Sequence, residues 1–86
     1  MGGLDITGAE SKVKSIESLI RDLQKQKEWC QGQIKVLSGQ TYKDSNTKRT
    51  IESHRKRISQ LNEKIADAKK RLASAKAELR EAKKRK

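Results

Sequence analysis

The chain has 86 residues, 31% of them hydrophobic and 38% charged, with no Pro, no Phe, one Trp and one Tyr. That is room for one small domain and the make-up of a coiled coil rather than of an α/β or all-β domain. The formal net charge is +11. No apolar run approaches membrane-spanning length, no segment alternates like a strand, and a lone Cys30 excludes an internal disulfide; together these predict a cytoplasmic all-α protein, with a non-classical secretion route left open.

Residues 1–7 open with two glycines and little periodicity and are expected to be a flexible N-terminus. Thr7 and Glu10 have the spacing of a capping box, which starts helix 1 at about residue 8. Helix 1 carries Val13, Ile16, Ile20, Leu23, Lys27, Cys30, Ile34 and Leu37 at alternating spacings of three and four, a heptad seam interrupted only by Lys27. Gly32 lies inside it, in phase, and Gly39 is the expected stop after about residue 38. Residues 39–46 form the connection, where Asp44, Ser45 and Asn46 all offer N-cap chemistry. Helix 2 is expected over about 47–86, with Ile51, His54, Ile58, Leu61, Ile65, Ala68, Leu72, Ala75, Leu79 and Ala82 on its seam.

A short connection between two such helices favours antiparallel neighbours. The fold expected is therefore an antiparallel two-helix coiled-coil hairpin over residues 8–86. Folding about the loop sets Leu37 against Ile51, Cys30 against Ile58, Lys27 against Leu61, Leu23 against Ile65 and Val13 against Ala75.

Catalysis has little support. The single His54 and Cys30 both fall on the seam, where a core-edge imidazole and a small buried hydrophobe explain them. A two-helix hairpin offers no deep pocket, and neither a metal-ligand set nor a phosphate-cradling loop is present, so neither metal nor cofactor is expected.

The flanks are more informative. With Ile51 and Val13 at position a, helix 2 is mostly basic at e (Arg55, Asn62, Lys69, Lys76, Lys83) and at g (Arg57, Lys64, Arg71, Glu78, Arg85). Only Glu17 on helix 1 stands ready to answer these cations. Outside the seam, Leu19, Trp29 and Val36 form a sparse apolar strip bordered by Arg57, Lys64 and Arg71. A solvent-facing Trp beside arginines has the composition of a binding hot spot.

The leading expectation is a non-enzymatic interaction module, an adaptor, inhibitor or assembly partner. These six residues would dock an acidic or amphipathic helix from another protein or from a second copy. The second is non-specific nucleic-acid binding. The charge is lopsided, with six basic and five acidic residues over 1–38 against thirteen and five over 51–86. The basic clusters Arg55-Lys56-Arg57, Lys69-Lys70-Arg71 and Lys83-Lys84-Arg85-Lys86 would follow a phosphate backbone.

In size and hairpin form the chain also resembles the small WXG100-type secreted proteins and their helical partner subunits, which implies a secretion partner as a third reading. That family carries Trp-x-Gly at the bend, whereas Trp29-Cys30-Gln31-Gly32 has a different spacing and lies inside helix 1. The family's tyrosine-plus-acid export signal has no counterpart in the basic C-terminus. Basic hairpin arms of tRNA-binding proteins are similar in form to the same degree, again without a shared motif.

Overall fold

A computed structural model describes residues 3–84. Two helices, α1 (Gly3–Ser38) and α2 (Ser45–Lys84), pack against each other as a helical hairpin, and no strand occurs among the described residues. The antiparallel sense is explicit around the middle of α1. Gln26 meets Arg57 while Trp29, three residues later, meets His54, three residues earlier. Every seam position read from the sequence is buried or partly buried on both helices. A heptad apolar stripe has no other way to leave water on a helix surface, and the two stripes cover each other.

The chain clusters into a loop-side unit, Asp22–Ile65, and a terminal unit built from Met1–Arg21 and Ala66–Lys86. In the loop-side unit the core is Leu23, Cys30, Ile51, Leu61 and Ile65. Leu61 is the one large side chain with 0% exposure among the described residues, and Lys27 is partly buried on the α1 seam. In the terminal unit the core is Val13, Ile20, Ala68 and Ala75, so small residues dominate the α2 side. Less apolar area is removed from water there per turn, and burial stabilises in proportion to area.

The helix ends correct the sequence reading. Helix α1 begins at Gly3, so the expected flexible segment 1–7 is helical from its third residue, and Thr7 with Glu10 lies inside the helix rather than capping it. The reason is visible in the packing. Ile6 and Ala9 are partly buried and continue the three-four spacing back from Val13, so the seam runs past the supposed cap. At the other end α1 stops at Ser38, directly before Gly39 as expected, but without a left-handed glycine; no described residue has positive φ. The Gly39 N–H still donates to the Lys35 carbonyl at 3.1 Å, and the Gln40 N–H donates to Leu37 at 3.3 Å. Helix α1 thus ends by tightening into a three-residue turn.

Helix α2 starts two residues earlier than expected. Of the three capping candidates, Asp44 takes the role. Its carboxylate accepts from the Thr47 N–H at 2.8 Å and its carbonyl accepts from the Lys48 N–H at 3.1 Å. The bond from the Thr47 N–H, helped by the Thr47 side chain, holds the Asp44 carboxyl below its ordinary value.

Candidate functional site

The loop-side unit carries a shallow groove of about 340 Å³ lined by Gln26, Trp29, Cys30, His54 and Arg57. Trp29 stands at heptad position c of α1, beside the seam, which leaves its ring 61% exposed. The ring is nevertheless held. It meets His54 of α2 edge-to-face, with centroids 5.4 Å apart and planes at 76°. Such T-shaped contacts favour one ring orientation over free rotation. Gln26 and Arg57 occupy facing g positions, and Arg57 Nη2 donates to Gln26 Oε1 at 3.1 Å. That bond fixes the guanidinium beside the groove without neutralising it. Cys30 is 4% exposed and packs into the core at the groove's base.

Of the strip read from the sequence, the structure brings Trp29 and Arg57 to one groove. Val36 (64% exposed) and Lys64 belong to the same unit, are exposed, and do not line it. Leu19 (43% exposed) and Arg71 belong to the terminal unit. There Arg71 lines a second groove with Lys12, Ile16 and Lys70, and its Nε bonds Asp67 of its own helix at 3.1 Å. Gln26 and His54 are additions to the expected surface: His54 is expected from the sequence only as a core-edge seam residue, and the facing g positions are the signal for Gln26.

The expected answer of Glu17 to the basic flanks is not formed; Glu17 makes no ion pair within the described residues. The pairs are instead Lys12–Glu78 across the helices at 3.3 Å, Arg55–Glu52 at 3.7 Å and Arg71–Asp67. Two of the three lie within one helix at spacings of three and four, where helical neighbours meet regardless of the partner helix. All are solvent-exposed and worth little individually, about 0–1 kcal/mol each.

The nucleic-acid candidates Arg55, Lys56, Lys69, Lys70, Lys83 and Lys84 are all exposed on α2, and Arg85 and Lys86 lie outside the described residues. No group of three or more His, Cys, Asp or Glu side chains suited to a metal ion occurs among the described residues. No described helix is long and apolar enough to cross a membrane. No protein-family model, curated protein or solved structure matches this chain.

Proposed function

We propose that the hairpin is a non-enzymatic interaction module whose contact surface is the Trp29–His54–Arg57 groove of the loop-side unit. The observation that carries this reading is Trp29. A large aromatic ring is left mostly in water yet held edge-on by His54, beside a guanidinium anchored by Gln26. A pre-positioned ring loses little conformational freedom when a partner covers it, so more of its burial appears as affinity. The adjoining cation selects a partner with acidic side chains, and Val36 adds apolar surface on the same unit. The partner of best fit is an acidic or amphipathic helix, from another protein or from a second copy of this chain. A reducing, cytoplasmic setting suits the buried, free Cys30.

The test is capture of a partner from the native source with and without nuclease, followed by affinity measurements on the purified pair. Trp29→Ala should weaken binding by about 2 kcal/mol or more, roughly 30-fold, while leaving helicity intact. Arg57→Glu should weaken it as well. Capture of no protein that withstands nuclease, or a loss of that protein's binding on neutralising Lys83 and Lys84 larger than the loss on Trp29→Ala, refutes the reading.

A further inference from the structure

Charge on α2 is sorted by face in the terminal unit. Over residues 66–84 the three adjacent heptad positions e, b and f contain only Ala66, Lys69, Lys70, Ala73, Lys76, Ala77, Arg80, Lys83 and Lys84, all exposed. Every acidic residue of the segment, Asp67, Glu78 and Glu81, falls on positions c and g. Two of those acids are engaged there, Asp67 with Arg71 and Glu78 with Lys12. None of the six cations of the basic band is in an ion pair among the described residues. The band covers a sector about 100° wide and, from Lys69 to Lys84, about 22 Å long at 1.5 Å per residue. Loop-side residues of α2 at these positions are interrupted by Glu52 and Glu63, so the sorting is particular to this segment.

We infer that this band is a sequence-independent binding surface for the phosphate backbone of double-stranded nucleic acid, separate from the Trp29 groove. Six cations with alanines between them present charge without bulk. A duplex carries a phosphate every 3.4 Å or so along each strand, so a band of this length lies against about six base pairs. No aromatic residue occurs in 66–84, which removes the stacking that single strands require. An anionic membrane is a poorer match, because the apolar seam of this segment is turned to α1 and leaves only alanine methyls to insert. Glu10 and Glu17 on the e flank of α1 offset part of the field; neither is in an ion pair, and they leave the outward Lys70, Arg80 and Lys84 unopposed on their own face.

The experiment is fluorescence anisotropy of the full chain with a short labelled duplex across a salt series. Six phosphate contacts predict that log affinity falls with log salt at a slope of about −5. Lys69→Gln/Lys76→Gln/Arg80→Gln should make the slope shallower by about 2.5 to 3. Glutamine propagates helix nearly as well as lysine, and circular dichroism checks that the fold is kept. Lys14→Gln/Lys25→Gln/Lys35→Gln removes equal charge from exposed positions of α1 and should change the slope much less. Trp29→Ala should leave duplex binding unchanged, which separates this surface from the proposed protein groove. Equal losses from the two triple variants overturn the assignment, as does tighter binding to single strands. Tighter binding to phosphatidylserine-containing vesicles than to duplex at the same salt overturns it in favour of a membrane.

Discussion

Leu61→Ala removes the one large side chain among the described residues that is wholly shielded from solvent. It sits in the loop-side unit between two further buried or partly buried seam residues of its own helix, Ile58 and Ile65. A buried leucine cut to alanine costs about 2.7–5 kcal/mol when the cavity stays open and less where neighbours collapse into it. A core only one side chain deep on each helix relaxes readily, so about 2–4 kcal/mol is expected, toward the lower end of the leucine range. At about 0.05–0.15 kcal/mol per residue, the total stability of such a chain is only about 4–13 kcal/mol. The loss is therefore a large fraction of the whole. At about 4–8 °C per kcal/mol for a domain of this size, the thermal midpoint should fall by roughly 8–32 °C. Urea titration followed by circular dichroism gives the free energy directly. Leu23→Ala and Ile65→Ala, both buried, should fall in the same range of about 2–4 kcal/mol. Leu79→Ala, only partly buried in the terminal unit, should cost clearly less. A Leu61→Ala cost below about 1 kcal/mol, or no larger than that of Leu79→Ala, refutes a core centred on Leu61.

Lys27→Leu should raise the melting temperature, since it takes a charge off the seam; an unchanged or lower value shows that the stem already lies along the seam with its ammonium in water. Gel filtration of the same variant reports whether Lys27 also limits association, as polar seam residues do in some coiled coils. Gly32→Ala should stabilise by about 1 kcal/mol, because Gly32 is exposed in mid-helix and a Cβ there meets nothing within 4 Å; a destabilised variant would mean the backbone at Gly32 departs from regular helix. The Asp44 carboxyl is held below its ordinary value by the Thr47 N–H, so its contribution is present above the unfolded pKa and lost as pH falls through the lower folded one. Asp44→Asn keeps an N-cap acceptor but should remove that acid-side share of the pH dependence, seen as a smaller drop in melting temperature on acidification; an unaltered profile rules out the cap bond as its source.

The two seams were legible in the sequence because their period belongs to the helix itself. Any partner that buries Leu23, Leu61 or Ile65 must meet the same three-four spacing, so the hairpin and its buried face followed without knowledge of contacts. The start of α1 was partly legible: Ile6 and Ala9 keep the phase, but the Thr7–Glu10 pair carries a competing local signal, and burial of the continued seam prevailed over it. Other features depend on distances that only the packed helices define. Asp44, Ser45 and Asn46 are near-equal as caps, and the position at which α2 enters the hairpin selects Asp44. Glu17 is in phase to answer the e flank, yet it pairs with neither Lys69 nor Lys76, whereas Arg71 and Arg55 meet carboxylates one turn away on their own helix. The sequence marks Trp29 as an aromatic residue outside the seam. That its ring is held against His54, with Arg57 tied to Gln26 beside it, is decided by the separation of two helix surfaces, which a one-dimensional pattern does not contain.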